Sequence, residues 1–337
     1  MLKQLWMKDH HGLLADKLQG KPIINHHNFK LKHIQMKIVF MGTPDFAVAS
    51  LSAIIDAGYD VAGVVTAADK PAGRGQKLQE SAVKKFAVEK GLKVLQPVKL
   101  KDPDFIAELR ALNADLQVVV AFRMLPEVVW NMPPKGTVNL HASLLPHYRG
   151  AAPINHAIIN GEKESGVTTF FLKHEIDTGD VIFSESVSIA EEDTAGDLHD
   201  KLMQAGAALL VRTLDAIAAN NYKEQPQPMS DELKHAPKIF KEFCKIDWNQ
   251  PVKNIYNLIR GLSPYPTAFT ELNEKNIKIF GAAYKETEPG ITPGAFLTDG
   301  KSFLKFAAKD GFIQLTDIQY EGKKRMKIDE FLRGMRL

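Results

Sequence analysis

The sequence predicts an α/β chain: a mostly parallel sheet covered by helices on both faces, followed by a smaller, mostly β domain. Three observations predict it. From residue 36 to residue 222, short apolar runs alternate with helical periods. Strands apolar on both faces, each separated from the next by a helix, are the pattern of a parallel sheet covered on both sides. A polar stretch at 223–238, with three of the chain's 18 prolines, interrupts this pattern. Beyond it the apolar period drops to two, the period of half-buried strands.

The elements follow in order. Residues 1–35 carry His10, His11, His26, His27 and His33 but no helical or strand period. They read as a poorly ordered extension or as the result of a start annotated upstream of Met36, with a histidine-rich metal tail as the alternative. KIVFM (37–41) is a buried strand, and after Gly42-Thr43-Pro44-Asp45 the run FAVASLSAIIDAG is a helix closed by Gly58. VAGVVT (61–66) is a second strand, and the Gly, Lys and Pro residues of 67–79 make a loop. ESAVKKFAVEKG is a helix closed by Gly91, LKVLQP a third strand and DFIAELRALN a third helix. DLQVVVAF (115–122) and TVNLHA (137–142) are the fourth and fifth strands, and VTTFFL and DVIFSESVSI add two more. Leu198, Leu202, Ala205 and Leu209 make 194–221 one long helix, stopped by Asn220 and Asn221. IKIFGAAY, SFLKFAA and GFIQLTDIQ then alternate, and a small barrel is the natural way to hide the edges of such strands. The expected organisation is an extension at 1–35, a first domain at 36–222, a linker at 223–243 and a second domain at 244–337.

Composition narrows the function. Of 337 residues, 45% are hydrophobic and 25% charged, as in an ordinary globular protein. No apolar run is long enough to span a membrane, and charge interrupts every apolar stretch of the N-terminus, so neither a span nor a signal peptide is expected. One cysteine, Cys244, excludes an internal disulfide framework and a cysteine-rich metal site, and fits the reducing cytoplasm. In FKEFCKIDW it reads as a buried apolar residue rather than a nucleophile. The net charge of +3 is local: six lysines and two aspartates lie in 1–35, leaving 37 basic and 38 acidic side chains. A polyanion would have to be held by patches.

The densest chemical signal is Asn139-Leu140-His141-Ala142-Ser143-Leu144-Leu145-Pro146, directly after a buried strand. Asn139 and His141 are two apart and share a strand face, at the carboxyl edge where open α/β sheets bind ligands. An amide can donate to a developing oxyanion and an imidazole can move a proton near neutral pH; equally, both could cap loops. Asp177, in His174-Glu175-Ile176-Asp177-Thr178-Gly179-Asp180, could return to this edge, orient His141 and favour its protonated form, although Asp-Thr-Gly is also turn chemistry. Gly42-Thr43-Pro44-Asp45 is not a dinucleotide fingerprint, because Pro44 lacks a needed N–H donor. Lys70, Arg74 and Lys77 lie in a glycine-containing loop and Lys323, Lys324 and Arg325 in a basic run, either of which could touch phosphates or simply face water.

From Met36 to the C-terminus these residues resemble the methionyl-tRNA formyltransferase family. The resemblance is carried by DKPAGRGQKLQ, NLHASLLPHYRGAAPINHAIINGE, EIDTGDVI, NLIRGLSPYPTAF and EGKKRMKIDEFLRG. The second and third are shared with other enzymes that use formyltetrahydrofolate; the last two resemble the tRNA enzyme. The resemblance implies a Rossmann-like formyltransferase domain and a C-terminal β-barrel resembling the OB-fold. It implies Asn139, His141 and Asp177 as the catalytic set, and 10-formyltetrahydrofolate as co-substrate held at Ser143, Leu144, Leu145 and Pro146. It further implies that the loop around Arg74, with Lys70 and Lys77, and a basic face with Lys323, Lys324 and Arg325, bind methionyl-initiator tRNA. No metal and no membrane is implied, and a cytoplasmic monomer is expected. Arg123 stands where the family often has a small residue, beside the expected folate pocket. Competing readings are formylation of another amine, such as a nucleotide-linked amino sugar, hydrolysis of the folate, or a non-catalytic binding module.

Overall fold

The computed structural model describes residues 36–72, 77–228 and 232–334. The readings of 1–35 and of Arg74 lie outside the described residues, and of Ala72 and Lys77 only the backbone is described. β1 (Lys37–Gly42) runs through the middle of the first sheet, with all but its first residue buried. Its side chains alternate between two cores: Ile38 and Phe40 enter one cluster, Val39 and Met41 the other. That is what a strand covered on both faces requires. Gly42 ends the strand, and a Cβ there would lie 2.6 Å from that of Ala47, so its bareness lets α1 (Asp45–Asp56) approach. Gly58 leaves the helix at φ +83°. β2 (Asp60–Val65) pairs parallel with β1.

Within 67–79, which the sequence predicts as a loop, β3 (Lys70–Ala72) pairs antiparallel with β4 (Lys77–Gln79) as a small hairpin. α2 (Ala82–Glu89) starts on Ser81, whose hydroxyl accepts from the Lys84 N–H. β5 (Val94–Leu95) and α3 (Pro103–Ala111), capped by Asp102, follow. β6 (Leu116–Val120) is wholly buried and flanks β1 on its other side. A single turn, α4 (Glu127–Trp130), leads to β7 (Thr137–His141), parallel to β6. After β8 (Arg149–Gly150) and α5 (Pro153–Ile159), the strands β9 (Glu164–Phe171) and β10 (Val181–Ser188) extend the sheet in antiparallel sense. The order is β10-β9-β7-β6-β1-β2-β5. α6 (Ala195–Ala218) opens with a Thr194/Asp197 capping box, ends before Asn220 at φ +48°, and packs along α1.

The polar stretch after α6 contributes β11 (His235–Ala236), parallel to β8. A 3-10 turn at Lys241–Cys244 buries Cys244, whose thiol pKa is pushed up by burial and by Glu242. α7 (Val252–Gly261) precedes β12 (Ala268–Leu272), β13 (Lys275–Glu286), β14 (Phe296–Thr298), β15 (Leu304–Ala307), β16 (Gly311–Tyr320), β17 (Met326–Lys327) and α8 (Ile328–Gly334). The strands form an antiparallel half-barrel, β12-β13-β16-β15-β14, with β17 on β16. β13 pairs with both neighbours and shifts register around Gly281; such irregularities bend a sheet. Its core, including Ile255, Ile259, Phe306 and Phe331, is a cluster of its own. α7 also ties this half to the first through buried Arg260. The guanidinium donates to Asn257 Oδ1 at 2.9 Å, to the Asp193 carbonyl at 3.0 Å and to the Ile158 carbonyl at 3.5 Å. Among the described residues no helix is long and apolar enough to cross a membrane.

Candidate active site

The carboxyl end of β7 carries the site. Its register places Asn139 opposite Val119 on β6 and Phe170 on β9, and His141 opposite Thr168. Asn139 and His141 therefore project from one face of a central strand. His141 is 8% exposed. Its Nε2 lies 2.9 Å from the Tyr148 carbonyl, an acceptor only, so the ring proton sits on Nε2. Nδ1 is left facing Asp177, with Oδ2 at 3.9 Å. That is too long for a hydrogen bond but close enough for an ion pair. The hydrogen bond that fixes the ring thus comes from Tyr148, which holds φ +61° and is itself buried, while Asp177 supplies charge. The Tyr148 hydroxyl donates to Glu162. Burial and that carboxylate push its pKa far up, so it stays a neutral anchor.

Asp177 reaches the edge as expected for its loop, and the backbone explains why this works. The residue is 9% exposed at φ +55°, and its Oδ2 accepts the Gly150 N–H at 3.0 Å. Gly179 closes the loop so tightly that a Cβ would collide with the Phe171 carbonyl. Asn139 is half-buried, and its amide makes no hydrogen bond to another described residue. An uncommitted amide on the same strand face as an imidazole that meets a carboxylate can stabilise an oxyanion and move a proton.

The Ser143–Pro146 loop follows at once. Ser143 is fully buried and donates to the His147 carbonyl at 2.7 Å, so its hydroxyl holds the loop. Thr168 accepts the Leu145 N–H and donates to the Ser143 carbonyl. Leu144, Leu145 and Pro146 keep partly exposed side chains at the edge. Arg123, exposed after β6, reaches over to the segment after β5, donating to the carbonyls of Val98 (2.9 Å) and Pro97. It crosses the ends of β1 and β2 and is held by backbone.

The basic residues lie apart. Lys70 is exposed on the β3–β4 hairpin. That hairpin is rooted by Asp69, whose carboxylate pairs with Lys84 and accepts from Gln96 at 2.8 Å; these bonds lower its pKa. Lys323, Lys324 and Arg325 are in the other half, at the β16–β17 turn. Arg325 is committed to Asp317 through two bonds of 2.9 Å, and Lys324 has Glu330 at 3.9 Å. Sequence reasoning missed Tyr148, Thr168 and Gln227. They act through backbone groups, which leave no periodic or compositional mark.

Comparison with known proteins agrees with the fold. The family model described as "Formyl transferase" matches residues 36–214, and "Formyl transferase, C-terminal domain" matches 238–336. A methionyl-tRNA formyltransferase of Bacteroides fragilis is 55% identical over 315 residues, covering 91% of this chain and 97% of its own length. That of Parabacteroides distasonis is 56% identical over 316 residues, covering 91% and 98%. Among solved structures, the N-formyltransferase from Helicobacter canadensis in complex with folinic acid and dTDP-3-aminofucose gives a TM-score of 0.64 at 22% identity. That match covers 86% of this chain and all of that one. HypX from Aquifex aeolicus in complex with tetrahydrofolic acid gives 0.59 at 20%, covering 88% of this chain and 47% of that one. These two share the fold. With more than half its residues identical to such relatives across nearly its whole described length, the chain belongs to the methionyl-tRNA formyltransferase family.

Proposed function

We propose that the chain transfers a formyl group from 10-formyltetrahydrofolate to the α-amino group of methionyl-initiator tRNA, with Asn139, His141 and Asp177 as the catalytic set. The observation that carries the reading is His141 Nδ1 facing the buried Asp177 carboxylate, with Asn139 on the same strand face two residues before it. The unprotonated amine attacks the formyl carbon, forming a C–N bond and a tetrahedral oxyanion. Asn139 donates to that oxygen, a contact of a kind worth about 3–4 kcal/mol of barrier. His141 Nδ1 takes the proton that the amine sheds, and the cation is balanced by Asp177. As imidazolium it also donates to the oxyanion. The C–N10 bond then breaks and the proton passes to N10, leaving tetrahydrofolate and regenerating neutral His141. No covalent enzyme intermediate is needed.

The co-substrate is seated at the Ser143–Pro146 loop, with Ser143 holding the loop and Leu144, Leu145 and Pro146 offering apolar surface. Lys70, Arg74 and Lys77, together with Lys323, Lys324 and Arg325, are the residues that bind the RNA backbone. The domains divide at 36–222 and 244–337, with the segment between as connector. The reaction places the chain in the cytoplasm, where it acts as a monomer.

The test is transfer of labelled formyl from 10-formyltetrahydrofolate to charged initiator tRNA, with elongator methionyl-tRNA and a nucleotide amino sugar in parallel. Formylation confined to the initiator is expected. Formylation of the sugar alone would sink the acceptor assignment, and folate consumed with no acceptor modified would mean a hydrolase.

A further inference from the structure

The polar segment after α6 has the composition of a linker, yet its first part is stitched to the Asp177 loop. Gln225 and Val181 exchange both backbone hydrogen bonds, at 2.8 and 2.9 Å. Two residues on, Gln227 Nε2 donates to the carbonyls of Asp177 (2.9 Å) and Gly179 (2.8 Å). Gln227 Oε1 accepts from Arg149 Nε at 3.1 Å and Nη2 at 2.6 Å. Arg149 adjoins Gly150, whose N–H holds the Asp177 carboxylate. One side chain thus fastens the backbone of Asp177, held at φ +55°, to the strand that binds its carboxylate. A non-glycine residue in that region persists only where its surroundings hold it.

We propose that Gln227 is a positioning residue for the reaction: it fixes the Asp177 loop so that the carboxylate stays against His141. This rests on the catalytic reading of Asp177. Its hydrogen bonds among the described residues go to Asp177, Gly179 and Arg149, so its effect runs through Asp177. Further along the chain, β11 pairs with β8, the strand of Arg149 and Gly150. The connector between the two halves is therefore part of the catalytic edge.

The experiment is steady-state kinetics of the full chain carrying Gln227→Ala and Gln227→Glu, alone and in an Asp177→Asn background. Glutamate keeps the length and the acceptor for Arg149 but cannot donate to the two carbonyls, so it serves if the alanine variant fails to fold. Both variants should lose about 10- to 100-fold in kcat, the range for small misplacements of a catalytic group. KM for folate and for tRNA should stay within about twofold, a split that general loosening of the fold would not give. In the Asp177→Asn background the further loss should be under about twofold, because residues acting as a unit are not additive. Wild-type kcat in Gln227→Glu, or full additivity with Asp177→Asn, would overturn the proposal while leaving Asp177 catalytic. Full activity of Asp177→Asn itself would overturn the catalytic reading and this proposal with it.

Discussion

At the carboxyl edge of the first sheet, His141 and Asp177 are more than nine-tenths buried and each is held by backbone: the Tyr148 carbonyl for one, the Gly150 N–H for the other. At the β16–β17 turn, Lys323, Lys324 and Arg325 stand exposed; the pair of Lys324 with Glu330 is largely in water, while Arg325 reaches the buried Asp317. The first region spends backbone strain and burial on a fixed geometry; the second presents charge on long, solvated stems. On the function proposed above, the contrast follows from two tasks. Formyl transfer needs donors aimed at a point, where small displacements are costly. A polyanion is attracted by charge within a screening length and tolerates mobile groups.

Four measurements would break or sharpen this contrast. The largest effect is expected at the fixed edge: Asn139→Ala should lower kcat by roughly 10²- to 10³-fold with folate affinity almost unchanged. A loss under tenfold would remove the distinction between the regions. Next comes the joint between the halves. Arg260→Ala strips three hydrogen bonds from a buried contact and should destabilise the full chain by about 2–3 kcal/mol, read by thermal unfolding; an unchanged melting temperature would mean that the halves are joined by apolar packing alone. A smaller, salt-dependent effect is expected at the turn. Replacing Lys323 and Lys324 by alanine should flatten the slope of log tRNA affinity against log salt by about one unit per lysine, with kcat at saturating tRNA intact. A drop in kcat instead would make the turn part of the chemistry.

The smallest effect concerns Asp317. Its bonds to Arg325 hold its carboxyl pKa below the ordinary value, against a contrary push from burial, with Lys327 adding to the lowering. A carboxylate whose folded pKa is depressed stabilises the fold above its unfolded pKa of about 4, and this stabilisation fades as pH falls through the lower folded value. Because Arg325 and Lys327 are largely exposed, Asp317→Asn should cost under about 1 kcal/mol at pH 7, with the difference shrinking below about pH 4. A gap that persisted in acid would point to packing rather than charge.

Much of this was legible in the sequence, and particular residues show where legibility stopped. IVFM (38–41) and VVV (118–120) are unbroken apolar runs, as a strand buried on both faces allows, so the central sheet could be read from them. Thr194, the leucine period and Asn220 marked both ends of α6. The shared face of Asn139 and His141 followed from the period of a strand. By contrast, Pro71 and Gly73 in 67–79 signalled a loop, while the backbone pairs Lys70 with Gln79 to make a hairpin. Prolines 226 and 228 flank Gln227 and read as linker, yet Gln227 is bonded to the backbone of the Asp177 loop. Arg325 read as an RNA contact; only the β16–β17 pairing shows that Asp317 already holds it.

The sequence by itself determined most of the strands and helices, that a sheet covered on both faces is followed by a mostly β domain, and that an amide and an imidazole share one strand face, because each follows from the local period of apolar and polar side chains. Tertiary structure alone decided that the Tyr148 carbonyl fixes the imidazole, that Gln227 clamps Asp177, and that Arg260 joins the halves. These contacts link groups from 7 to 102 residues apart and run largely through backbone oxygens, which every residue possesses. Their partners are selected by where the folded chain brings them, a property that no local pattern of side chains encodes.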